Sequence, residues 1–308
     1  MAEHMDAMNL DANESAFFKR ELEVVKAKSY DVKWAPNKAL ALLPVDSSLG
    51  AAATELTYRS YTRVGTAKMV SDYATDFPRV DVYGTETTIK PHDIGAAYGY
   101  SIQEIRRAQM AGFPLETRRA DAARRAIEDK INTIAFSGDT ATNLVGFLSC
   151  TGATEFTLTS GTGGYTWATK TADEILADMN GLVYAVVAAT NGVEIPDTML
   201  LPLAQFNQIG TKRLGTYSDT TVLDYFLKTN QYVKKVEWLN ELSTGSDTSG
   251  TRAIVFKNDA DHLELVLPVP FEQFEAEKKG LAYTVPCLAR IGGVVFHYPL
   301  SIGFCDGI

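Results

Sequence analysis

The most chemically suggestive stretch of this sequence is residues 161–171, GTGGYTWATKT, where glycines precede a Lys-Thr pair. A phosphate-binding loop needs Gly directly before Lys-Ser/Thr, so that successive backbone N–H groups curl around the phosphate oxygens. Thr169 holds that position, and a β-branched residue resists the curl. The stretch reads instead as a flexible linker. His262-Leu263-Glu264 has the H-x-E spacing of a zinc deaminase, but the companion P-C-x-x-C is absent, and His262 is expected on a hairpin face. Asn258, Asp259, Asp261 and Glu264 offer oxygen ligands without the glycine and terminal glutamate of an EF-hand, so a solvated turn is expected. The sequence holds neither G-x-S-x-G nor H-E-x-x-H, and His4, His92, His262 and His297 match no known nucleophile pattern. A triad assembled in space leaves no such trace, which keeps a monomeric α+β enzyme open as one reading.

Cys150, Cys287 and Cys305 are odd in number and widely spaced, so buried free thiols are expected rather than a disulfide framework or zinc site. No cofactor and no metal is expected. Arginine pairs at 106/107, 118/119 and 124/125 could form a basic stripe for DNA. Asp121 and Arg125, Arg124 and Glu128, and Arg125 and Asp129 are, however, each four residues apart, which pairs charges along one helix face. A self-neutralised solvated face, or ion pairs between subunits, is the favoured reading.

The formal net charge of −9 argues against a protein that grips nucleic acid by neutralising phosphates. It suits a container, whose wall needs no attraction to its contents. The N-terminus is polar and acidic, without the basic and apolar regions of an export signal. The longest mid-chain apolar run, residues 182–189, is shorter than the roughly 20 residues that cross a bilayer. No membrane partner is expected, and synthesis and retention in a cytoplasm are.

The elements that would position these residues follow from periodicity. The chain has 308 residues, 45% hydrophobic and 22% charged, enough for one large or two modest cores. A helix is expected at 14–28, followed by a weakly patterned stretch, 29–50, that buries little against itself and needs a partner surface, such as another subunit. Residues 54–70 and 80–94 are rich in Thr, Tyr and Val with near-alternating polarity, and predict a long two-stranded hairpin too polar to build a core. Ser101 and Glu104 form a capping box that opens one helix. After Gly112, Pro114 is placed to begin a second, spine-like helix carrying the stripe Ala120, Ala123, Ile127, Ile131 and Ile134 up to Gly138. Thr171 and Glu174 cap a third helix, with Ile175, Met179, Leu182, Val183 and Val186 inward and a stop at Asn191-Gly192. Strands are expected at 198–201, 233–239, 253–256, 263–269, 283–288 and 293–298, with helices near 204–210 and 219–228.

An arm, a hairpin, a spine helix and an α+β domain whose strands return at the C-terminus resemble the Hong Kong 97-type major capsid fold of tailed phages. The segment YGYSIQEIRRAQMAGFPLETRRADAARRAIEDKINTIAFSGD at 98–139, with LVGFL at 144–148, is similar to the spine region of phage major capsid proteins and of the related encapsulin shells. GLAYTVPCLARIGGVVFHYPLSIGFCDGI at 280–308 resembles their C-terminal segment. The resemblance implies an N-arm at 1–52, an E-loop hairpin at 53–97, a P domain with the spine helix at 98–169, an A domain with a mixed sheet at 170–280, and C-terminal strands at 281–308.

It implies a shell protein that catalyses nothing and partners copies of itself in pentamers and hexamers of an icosahedral head. DNA would be packaged inside without sequence-specific binding, and portal, scaffold and decoration proteins are further partners. An encapsulin-like shell around a cargo enzyme is the alternative. Any scaffold is expected to be a separate protein, because no long extra N-terminal domain precedes the arm. Arg59 and Arg63, of the same strand parity, and Lys68 on the hairpin are the expected intersubunit contacts. Some relatives join Lys to Asn covalently, but no motif here identifies a partner Asn or a catalytic Glu.

Overall fold

The computed structural model describes residues 35–308 apart from 71, 73, 74, 76, 113–115, 216 and 245–249. The expected helix at 14–28 and the expected helix start at Pro114 lie outside the described residues. Residues 37–308 form one compact unit.

The stretch read as arm begins this unit. Helix α1, Ala39–Leu42, and strand β1, Val45–Asp46, follow one another, and Ala39, Leu42 and Leu43 are buried. Their partner surface is the chain's own core, which corrects the expectation of another subunit for these residues. Strands β2, Leu56–Val64, and β3, Asp81–Ile89, form the hairpin. Lys90-Pro91 then breaks what was read as one strand, and β4, His92–Ser101, starts anew. Helices α2, Ile102–Ala111, and α3, Glu116–Ser137, are the expected pair. Both reciprocal bonds of the Ser101–Glu104 capping box form, and Gly112 closes α2 at φ 70°. Gly138 ends α3 at φ 74°, and a Cβ there would lie 2.5 Å from the Leu144 carbonyl.

Strand β5, Thr154–Glu155, precedes helix α4, Ala172–Ala189. Then come β6, Thr198–Leu201, α5, Leu203–Thr211, α6, Val222–Thr229, and β7, Lys235–Trp238. The chain closes with β8, Arg252–Phe256, β9, Leu263–Val266, β10, Val269–Gln273, β11, Glu277–Lys279, β12, Ala282–Ile291, β13, Gly293–Phe296, and β14, Gly303–Asp306.

Four sheets result. Strand β12 pairs with β10 and β11 and, along ten residues, with β4; β1-β9-β13 is a second sheet, β5-β14-β8-β6-β7 a third, and β2-β3 stands apart. The five-stranded sheet is buried on both faces, which is why residues 198–201 read as an unbroken apolar run. Its Leu200, Ile254 and Phe256 face a core built on α3, β9, β12 and β13. Its Met199, Leu201, Ala253 and Val255 face a second core under α4, α5 and α6.

Helix α3 supplies Ala123, Ile127, Ile131 and Ile134 to the first core, while Ala120 is half-buried. Its opposite face carries the expected pairs Arg124–Glu128 and Arg125–Asp129, each at 2.9 Å. Buried Asn132 accepts from the Lys38 and Ala39 N–H groups at 3.2 and 3.1 Å, which caps α1 and fastens it to the spine.

Residues 161–170 are no flexible linker. Trp167 and Lys170 are both 2% exposed. Asp178, nearly two turns into α4, accepts from Lys170 Nζ at 2.6 Å and from Trp167 Nε1 at 3.0 Å. The Gly-rich composition hid a segment held by one buried carboxylate; removing either charge alone would strand the other, at about 3–5 kcal/mol. Nearby, Glu174 accepts from the Thr171 N–H, the Thr162 hydroxyl and the Thr162 N–H, each at 2.8 Å. These bonds, the Thr171 N–H foremost, hold its carboxyl down to about 2 from 4.5.

Replacing Ile127, 1% exposed, by Asp places an unpaired charge in the first core and should cost on the order of 4 kcal/mol. Arg124→Ala, on the solvated face, should cost less than about 1 kcal/mol; denaturant melts distinguish the two. The depressed Glu174 carboxyl stabilises the fold above pH 4.5, and that contribution is lost as pH falls toward 2. Thermal melts of Glu174→Gln should therefore lie below wild type at neutral pH and converge with it across that acid window.

Candidate assembly surface

The hairpin forms because its strands alternate and its rungs match. Nine residue pairs run from Leu56↔Ile89 to Val64↔Asp81. Thr57 and Thr88 hydroxyls meet at 2.9 Å, and those of Ser60 and Thr85 at 2.6 Å. Arg59 Nε donates to Glu86 Oε1 at 2.8 Å, directly across the ribbon. The Tyr61 ring lies over Gly84, where a Cβ would come within 3.2 Å of it. Such cross-strand pairs are each worth about 0.2–1 kcal/mol, enough to set register but little more.

Nothing in this ribbon builds a core. Between residues 57 and 88, Tyr58 alone among the described residues is shielded. Toward the free end the exposed side chains turn apolar: Tyr61 67%, Val64 52%, Phe77 67%, Val80 65%, Val82 59% and Tyr83 61%. The sequence reading, which averaged over both faces, saw a polar hairpin and missed this tip. Its residues were visible, but not the register that brings them to one end, with Tyr61 and Val82 on one face and Val64 and Tyr83 on the other.

The expected contact residues all lie on this appendage. Arg59 and Arg63 point to the same side of β2, away from Tyr58; Arg59 is paired within its own hairpin, and Arg63 is exposed opposite Val82. Lys68 is exposed in the connection between the strands. The structure does not gather them into one cluster. Across the hairpin's base, Lys90 Nζ lies 3.1 Å from Glu55 Oε1.

The stretches weighed for chemistry take structural places. His262 is 7% exposed, not on a hairpin face; its Nε2 lies 2.7 Å from Glu194 Oε2, a partner from the loop after α4 that local spacing could not reveal. Glu264 pairs with His297 at 3.2 Å. Burial pushes the Cys150 and Cys305 thiols up to about 12, far from the range of a reactive thiolate. Among the described residues no group of three or more His, Cys, Asp or Glu could hold a metal ion, and no helix is long and apolar enough to cross a membrane. On α3, Arg119 bridges to Glu104 of α2 at 3.1 Å, joining the two helices.

The sequence from residue 65 to residue 308 matches the model of the major capsid protein family. No curated protein matches it significantly. Among solved structures, the chain is similar to the capsid of Myoviridae phage XM1, with a TM-score of 0.83 and 17% identity over 96% of this chain and 99% of that one. It is similar to the capsid of an empty GTA particle, with a TM-score of 0.66 and 12% identity over 96% and 98%. Similarity to a chain of Mycobacterium phage Adephagia gives 0.63 and 13% over 95% and 98%. At these identities the likeness speaks for the fold, which is of the Hong Kong 97 type. With a family match across most of its length and that architecture, the chain belongs to the major capsid protein family, structural subunits that assemble with their own kind into the shell of a virion.

Proposed function

We propose that this chain is the repeating subunit of an icosahedral phage head, arranged in pentamers and hexamers around packaged double-stranded DNA. The observation that carries this reading is the exposed hairpin with its apolar tip. A lone two-stranded ribbon is marginal in water, and clustered exposed apolar side chains mark an interaction surface. A second copy of the chain lying beneath the hairpin would answer both.

Arg59, Arg63 and Lys68 would then meet acidic surface on the neighbour, easily found on a chain of net charge −9. The Arg59 guanidinium would then be shared between Glu86 and that surface. Contacts of this kind are head-to-tail, so the same patch pair repeats around rings of five and six. Because each subunit touches several others, modest contacts add to a stable shell. The negative charge leaves DNA enclosed rather than bound. Assembly would occur in the host cytoplasm, with portal, scaffold and decoration proteins as further partners.

Replacing residues 60–84 by a short Gly/Ser turn separates folding from assembly. The shortened subunit should stay soluble, with a melting temperature within about 2 °C of wild type, since loop length changes closure entropy only slightly. Size-exclusion chromatography with light scattering, and electron microscopy, should show loss of megadalton shells. An unfolded variant would place the hairpin in the core, and shells of normal size would remove the hairpin's role in assembly.

A further inference from the structure

Over residues 56–90, Leu56, Tyr58 and Ile89 are the shielded ones among the described residues. Leu56 and Ile89 face each other at the base, and Tyr58 stands two rungs further out. It is thus the outermost side chain by which the hairpin touches the body. Its ring meets that of His297 in a T-shaped pair, centroids 5.3 Å apart and planes at 82°. His297 is itself held twice: Nε2 lies 3.2 Å from Glu264 Oε1, and its backbone N–H donates to the His262 carbonyl at 2.9 Å.

Beneath the root lies a cavity of about 590 Å³, with Tyr58, Thr87 and Thr88 on the hairpin side and Asn143, Val145 and His297 on the body side. Elsewhere in a protein, close packing fixes the angle between elements. Here, beyond the base held by Leu56 and Ile89, the space beneath the ribbon leaves the ring pair as the outermost contact that can fix the angle.

We propose that Tyr58 and His297, backed by Glu264, form a latch that sets the angle at which the hairpin leaves the body, and so the curvature at which one copy meets the next. The proposal rests on the hairpin's role in assembly and names the residues that aim it. They are positioning residues. A strand rises about 3.4 Å per residue, so Val64 lies roughly 20 Å beyond Tyr58, and a rotation of about 10° at the root moves it by roughly 3.5 Å. That is close to the reach of one van der Waals contact, about 4 Å, so the tip would miss its seat on the neighbour. Head-to-tail assembly repeats any such error at every interface around a ring.

The test compares shells of the wild-type chain with those of Tyr58→Ala, His297→Ala and Tyr58→Phe by cryo-electron microscopy, alongside subunit melting. Both alanine variants should melt within about 2 °C of wild type, because a solvent-side ring pair adds little to a domain of this size. Their fraction of shells at the native diameter should fall by about fivefold or more, the scale of one lost aromatic contact, in favour of mixed diameters and open fragments. Tyr58→Phe keeps the ring and should restore the native diameter. In the free subunit, spin labels on Thr62→Cys and Asp173→Cys, in a Cys150→Ser background, should give a distance distribution that broadens in Tyr58→Ala and stays narrow in Tyr58→Phe. Native-diameter shells and an unbroadened distribution in both alanine variants would overturn the latch while leaving the assembly role standing. Absence of closed shells from the wild-type chain would instead sink the assembly reading, and the latch with it. An alanine variant that unfolds would assign the pair to the core and also overturn the proposal.

Discussion

Ten consecutive residue pairs between β4 and β12, from His92↔Ile291 to Ser101↔Ala282, hold this molecule in its arrangement. The ladder joins segments far apart in sequence, so its closure entropy is met only when the rest of the chain has come together. Its inner face sets Ile94, Ala96 and Tyr98 beside Val285, Cys287 and Ala289 under the spine helix. Its ends do further duty. Ser101 is both the last residue of β4 and the N-cap of α2, while β12 runs through Gly292 into β13 and the sheet that receives β1. At the other end, Pro91 is buried where the hairpin strand β3 hands over to β4. Spine, appendage and returning C-terminal strands are therefore all indexed to one register.

That ladder is also where sequence reading was weakest. Gly95, Ala97 and Gly99 line the outer side of β4, and none of them favours a strand by itself. Partners in β12 make the segment a strand, and no local pattern announces them. The helices were legible because their signals are local: Ser101 with Glu104, Thr171 with Glu174, and the isoleucines of α3 all lie within a few turns of one another. Arg125–Asp129 was legible for the same reason, whereas Arg119–Glu104 needs two helices already packed. Trp167 and Lys170 were misread because glycine and threonine around them suggest mobility, while their burial is decided by Asp178. The hairpin's existence and exposure could be read from alternation, but not its apolar tip or its seat on His297.

The two cores divide the protein's tasks. The first joins the spine to the β4–β12 ladder and the small sheet; the second closes over α4. Between them the five-stranded sheet is shared, so displacing one core strains the other through the same backbone. The hairpin draws on neither beyond its root. On the assembly role proposed for the hairpin, stability and assembly would be carried by different residues, and a substitution at Tyr61 or Val82 would act on contacts between copies with little effect on the fold that presents them.

The handover at Pro91 has a mechanical consequence. Backbone hydrogen bonds in an antiparallel ladder lie perpendicular to the strands. A tug transmitted from a neighbour through the hairpin along β4 therefore loads many rungs side by side, in shear, instead of opening them one after another like a zipper. The outward side chains of Asp93 and Arg290, 3.5 Å apart near the entry point, resist the first slip. Strain from a stretched or pressurised wall would thus be spread along the whole ladder.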